Sequence, residues 1–216
     1  MTRGTRAFTL AELVMAMAIM SIIGLAVVGI TMALTDAQEY SGDFYRNVQI
    51  ARNSMRYLQR AIQKANLITA VDSDSLACWL EDTNDNGRIN VTEMRLFAFE
   101  SGDCEIAEYR IQFPSWWTQV MKALADTSVS LAWVTDISNV KSMRSNSYVV
   151  RRVLATDVAS VTFTVSPSAP ITKLLQTEIT IGQGDRRVVL RGATALRADW
   201  TDHVGTVDSE WVLDTG

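Results

Sequence analysis

The sequence predicts an α+β fold: a long N-terminal helix, membrane-spanning in its first half, packed on an antiparallel β-sheet domain. Three observations predict it. Leu13–Leu34 is an apolar run with no charge and no proline, a helical stripe of apolar residues continues to Ala65, and short β-type runs fill most of the remainder. At 1.5 Å per residue the apolar run is roughly 33 Å long as a helix, enough to cross a bilayer core. Arg3 and Arg6 precede it, and Asp36, Glu39 and Asp43 follow it. The positive-inside bias therefore places the start in the cytoplasm and the bulk of the chain outside.

Beyond the run, Phe44, Val48, Ala51, Met55, Leu58, Ile62 and Ala65 recur at alternating steps of four and three, the pattern of a helix with one face on a folded domain. Ser41-Gly42 is a candidate kink. Arg52, Arg56, Arg60 and Lys64 form a second stripe, read as a solvated face, with acidic neighbours in an assembly as the alternative. From Leu67 the periodicity changes. Candidate strands are Leu76–Leu80, Met94–Phe99, Ala107–Phe113, Val129–Val134, Tyr148–Leu154, Val158–Val165, Lys173–Ile181 and Arg186–Leu196, with a hairpin turn at Gly182–Asp185. Trp117, Val120, Met121 and Leu124 mark a short amphipathic helix between strands.

An ordinary secretory signal has a shorter apolar stretch than Leu13–Leu34, and a plain anchor leaves a carboxylate at the edge of the span, Glu12, without a role. Both features fit a third reading. The block Arg-Ala-Phe-Thr-Leu-Ala-Glu-Leu-Val at residues 6–14 resembles the cleavage and methylation site of type IV prepilins and type II secretion pseudopilins. The resemblance implies that a prepilin peptidase on the cytoplasmic face cuts between Ala7 and Phe8 and methylates the new amine of Phe8. It also implies that Glu12, the fifth residue of the mature chain, pairs with the Phe8 amine of a neighbouring subunit. Opposite charges about 4 Å apart attract strongly in a low-dielectric core, and each is costly there alone. Removing residues 1–7, which carry two arginines and no acid, takes the net charge from -4 to -6. Two positions depart from the family pattern: Ala7 stands where glycine is usual, and the helix lacks the proline common in major pilins. Gly29 stands there instead, and with Ala33 it makes a small-residue face for close packing; the alternative is the ordinary abundance of glycine in membrane helices.

The expected organisation is a leader at 1–7, a membrane and filament-core helix at 8–35, its extracytoplasmic continuation at 36–66, and a β-rich domain at 67–216. The closing strands are loosely similar to those of minor subunits of the J and W types.

Asp82-Thr-Asn84-Asp-Asn86-Gly87-Arg88-Ile89-Asn90-Val-Thr-Glu93 fits the twelve-residue calcium loop of EF-hands. Asp82, Asn84 and Asn86 would supply side-chain oxygens, Arg88 its carbonyl, Asn90 a water-mediated contact and Glu93 two oxygens. Gly87 would permit the turn and Ile89 would anchor it inward. The flanking residues read as strands, so the expectation is a structural calcium site in a hairpin; the alternative is a polar turn. Cys78 and Cys104 flank this region. A disulfide suits an oxidising compartment, and two free buried thiols are the alternative.

With one histidine, His203, and two cysteines, the chain has little material for a hydrolytic triad or a zinc site, and no phosphate-binding loop occurs. The acidic net charge offers no broad surface for nucleic acid. Trp116-Trp117 is read as core or subunit packing, with stacking on a partner as the alternative. The expected function is therefore structural and not enzymatic: a minor subunit of a type II secretion pseudopilus or type IV pilus. Its partners would be other pilin or pseudopilin subunits, the prepilin peptidase, an inner-membrane assembly platform and the lipid bilayer. It would reside in the inner membrane with its C-terminal domain in the periplasm, then enter a filament. The alternative is a membrane-tethered calcium-binding module that never polymerises.

Overall fold

A computed structural model describes residues 9–83, 86–182, 184, 187–197, 204–207 and 210–213. Helix α1 begins at a local signal. Thr9 N–H and Thr9 Oγ1 both donate to Glu12 Oε2, at 2.9 Å each, and Glu12 N–H donates back to Thr9 Oγ1 at 3.3 Å. This is a capping box, in which a Thr and a Glu three residues apart satisfy each other's free backbone donors. From there α1 (Leu10–Lys64) stays helical through Ser41-Gly42. The chain divides into two compact units after Tyr45.

In the first unit the apolar side chains are exposed among the described residues: Leu25 is 75% exposed and Met20 73%. A helix of this length and composition near the N-terminus is compatible with a single membrane crossing.

In the second unit the last turns of α1 bury Ala51, Met55, Leu58 and Ile62 of the predicted stripe, with Ser54 beside them, whereas Val48 is half-buried and Phe44, at the head of the stripe, is exposed. The strands β1 (Leu67–Val71), β2 (Ser75–Trp79), β3 (Met94–Glu100), β4 (Glu105–Ile111) and β5 (Val149–Ala155) form one antiparallel sheet in sequential order. A second antiparallel sheet holds β6 (Val158–Ser166), β7 (Leu174–Ile181) and β8 (Val188–Ala195). β9 (Val204–Val207) and β10 (Glu210–Leu213) pair separately. This is the α+β class with antiparallel sheets that the sequence predicts. A long apolar N-terminal helix followed by a β-sheet domain is a pilin-like architecture.

Two apolar clusters explain the arrangement. α1 packs with Ile68, Leu76, Cys78, Phe97 and Ile106 of the first sheet and Val161, Phe163, Leu175 and Ile179 of the second. The other face of the first sheet, with Leu67, Ala77, Trp79, Leu96 and Ala107, packs on Leu131, Val134, Val140 and Met143. The first sheet therefore has apolar cover on both sides, and β2 is buried at all five residues. Polar bonds fix α1 in register: Ser54 Oγ donates to the Leu154 carbonyl at 2.7 Å and the Tyr57 hydroxyl donates to Glu108 Oε2 at 2.7 Å. β8 comes so close to α1 that a Cβ on Gly192 would lie 2.7 Å from Met55 Sδ, so a larger residue there would have to displace the Met55 side chain.

One strand expectation is corrected. Val129–Val134 holds α3 (Leu131–Thr135), started by Ser130, whose side chain accepts from Trp133 N–H. Leu131 and Val134, three apart, supply the buried face, as a helix requires. Only the start is extended, where Val129 N–H donates to the Ile89 carbonyl at 2.8 Å. The sequence reading also missed β1, β9, β10 and α4 (Ile137–Ser142). The hairpin joining β7 to β8 is present, with Ile181 opposite Val188.

The expected disulfide is corrected too: Cys78 and Cys104 are both free. Cys78 sits opposite Arg95 on β3, whereas Cys104 lies in the turn beyond Glu100 at the far end of that strand. Five residues of strand separate the two levels by roughly 16 Å, and a disulfide needs Cα atoms within about 7 Å. Burial pushes the Cys78 thiol up to about 12, so its nucleophilic thiolate is scarce at neutral pH. A thiol reagent is therefore expected to label Cys104 in the folded protein and both cysteines after denaturation. Two labels on the folded chain, or none after denaturation without reductant, would contradict this placement.

Candidate functional site

The residues singled out by the sequence fall in two places. At the N-terminus, Ala7 and Phe8 lie outside the described residues. Glu12 is described, and it caps α1 through one carboxylate oxygen. Among the described residues its Oε1 has no hydrogen-bond partner, so the side chain can hold the cap and still accept one more donor. The capping role was legible in Thr9-Leu-Ala-Glu12, the Ser/Thr-x-x-Glu signature, and the sequence reading missed it.

The second place is the loop at 82–93. Gly87 has φ +67, the left-handed conformation that favours glycine, and Ile89 is buried; both match the expectation. Asp82 Oδ2 accepts from Gly87 N–H at 2.7 Å and its Oδ1 from Asn86 N–H at 3.2 Å. Asn86 Oδ1 accepts from Arg88 N–H at 2.7 Å. Asn84 lies outside the described residues.

Glu93, expected to close the cage, is held by protein donors. It is 2% exposed, and both oxygens face protein donors. Oε1 accepts from Thr83 N–H at 2.8 Å and Thr83 Oγ1 at 2.9 Å, and Oε2 accepts from Trp79 Nε1 at 3.0 Å and Asn90 N–H at 3.2 Å. A carboxylate offers about four lone-pair sites, and these four donors fill them. Asn90 is likewise engaged, its Nδ2 donating to Asp126 Oδ2 at 3.2 Å. Among the described residues no three His, Cys, Asp or Glu side chains converge as a metal site. Trp79, Thr83 and Asn90 thus hold Glu93 at the end of the loop.

Asp126, absent from the sequence reading, ties this loop to the next segment. It caps the C-terminus of α2 (Gln119–Ala125) and accepts from Thr92 Oγ1 at 2.8 Å and Thr92 N–H at 3.2 Å. α2 itself buries no residue: Val120 is 69% exposed and Leu124 78%. Trp117 stacks on Phe113 at 5.2 Å and meets Tyr148 edge-on at 5.1 Å, the packing role expected of it, while Trp116 points outward at 76% exposure. His203 lies outside the described residues.

Comparison with protein families, with characterised proteins and with solved structures found no match.

Proposed function

We propose that the chain is a filament subunit of the type IV pilin and type II secretion pseudopilin kind. The observation that carries this reading is the bare apolar helix, exposed at every residue from Leu13 to Leu34, headed by Glu12, whose second oxygen has no partner among the described residues. So much uncovered apolar surface needs a non-aqueous cover. Lipid supplies it before assembly and neighbouring helices supply it afterwards. Moving between two apolar surroundings has no large hydrophobic penalty, so close packing and polar contacts decide the association.

In this reading the peptidase cuts between Ala7 and Phe8, and the methylated Phe8 amine of one subunit meets Glu12 Oε1 of another. The β-sheet domain lies outside the inner membrane, and the assembly platform moves subunits from bilayer to filament. The work is mechanical, and no residue is assigned a catalytic role.

Glu12 has two candidate duties, cap and counter-ion, and two substitutions separate them. Glu12→Gln keeps an acceptor for Thr9 and loses the charge; Glu12→Ala loses both. Glu12→Gln is expected to insert in the membrane normally yet enter filaments at least about tenfold less than the unmodified chain. Incorporation at the unmodified level would mean that Glu12 serves only as a cap.

A further inference from the structure

Charge is segregated along α1. From Ala7 to Tyr45 the charged residues are Glu12, Asp36, Glu39 and Asp43, all acidic, whereas from Arg46 to Val71 they are Arg46, Arg52, Arg56, Arg60 and Lys64, all basic. The last four follow at steps of four and make one ridge, exposed throughout. It lies opposite the buried side formed by Ala51, Met55, Leu58 and Ile62. Among the described residues no ion pair joins any of these four to another; the ion pairs there lie elsewhere, as in Lys141 with Asp72 and Arg144 with Glu100.

Like charges four apart on a helix repel one another. Lys64 has a local reason to be there, because a cation in the last turn complements the helix dipole. That reason fades within a turn and does not reach Arg52 or Arg56.

We infer that the Arg52–Arg56–Arg60 ridge is an interaction surface whose partner is the acidic stretch Asp36–Glu39 on α1 of a second copy of this chain. The spacing supports that partner. Asp36 precedes Arg52 by 16 residues and Glu39 precedes Arg56 by 17, so a single slide of one parallel helix along another brings both pairs together. A lipid or nucleic-acid surface would take up cations without needing acids at a matched offset. The inference rests on the filament reading, which supplies the parallel helices, and adds a contact with a different neighbour: pairing Phe8 with Glu12 staggers two helices by about 6 Å, whereas pairing Asp36 with Arg52 needs about 25 Å. Because both sets are exposed charges, the contact weakens as salt rises.

The test is charge exchange in the full chain, expressed in its native cells, with incorporation into isolated filaments as the readout. Arg56→Glu and Glu39→Arg are each expected to lower incorporation about tenfold, and the double exchange to restore most of it, because every copy then carries the inverted pair. Chains bearing Glu39→Cys and Arg56→Cys, mixed in one filament, are expected to cross-link to each other. If the unmodified chain enters filaments and Arg56→Glu enters equally well, this inference falls while the filament reading stands. If both single exchanges fail and the double does not recover, the ridge meets a different anion and the second-copy assignment is overturned. If the unmodified chain enters no filament, the filament reading itself fails.

Discussion

Glu93→Ala is expected to destabilise the β-sheet unit by about 2–5 kcal/mol. The substitution removes the acceptor for Trp79 Nε1 and Asn90 N–H, both at buried residues, and for both donors of Thr83. Each buried donor left unsatisfied costs about 1–3 kcal/mol. Glu93→Gln, which keeps one acceptor oxygen but turns an amide N–H2 toward donors, should fall between the two. Asp82→Ala should have a smaller effect, because Asp82 accepts from backbone groups nearer the surface. Urea unfolding of the full chain in detergent, with and without chelator, measures all of these. The Glu93 effect is expected to persist in chelator, since the bonds that hold it come from protein. If the loss appears only when calcium is present, or if calcium strongly stabilises the unmodified chain, Glu93 leaves these donors for a metal and the closed arrangement is not the working one.

Phe97→Ala is expected to lower stability by about 3–5 kcal/mol, the range for removing a fully buried aromatic ring. Phe97 is 0% exposed on β3, in the cluster where α1 meets both sheets. A unit of this size loses about 2–4 °C of melting temperature per kcal/mol, so a drop of about 10 °C should be visible by circular dichroism. Phe99, on the same strand face but only partly buried, should respond less to the same change. Equal effects at the two positions would mean that Phe97 does not sit at the centre of the core.

Some parts of this molecule can be read from residue order and others cannot. The apolar run and the stripe from Ala51 to Ala65 are one-dimensional patterns whose period matches a helix, so α1 was predictable. The alternating strands and the Gly182 turn likewise record local geometry. Leu131–Thr135 was misread because five residues are too few for period to separate helix from strand; the Ser130 cap decides it. The loop at 82–93 shows a different limit. Its Asp, Asn and Gly positions predict the turn and the left-handed Gly87, but the direction of Glu93 is set by Trp79, fourteen residues away and across a hairpin. Pairing Cys78 with Cys104 failed for the same kind of reason: the strand register places them at opposite ends of β3, and register is not written in cysteine spacing.

Every functional step proposed here begins with removal of residues 1–7. Intact-mass and N-terminal mass spectrometry of the chain from membranes of its native cells tests that most directly. The expected result is a mature chain that begins at methylated Phe8, found both in the membrane and in sheared filaments. A chain that retains Met1 through Ala7 in both fractions, with an unmethylated amine, would contradict the account.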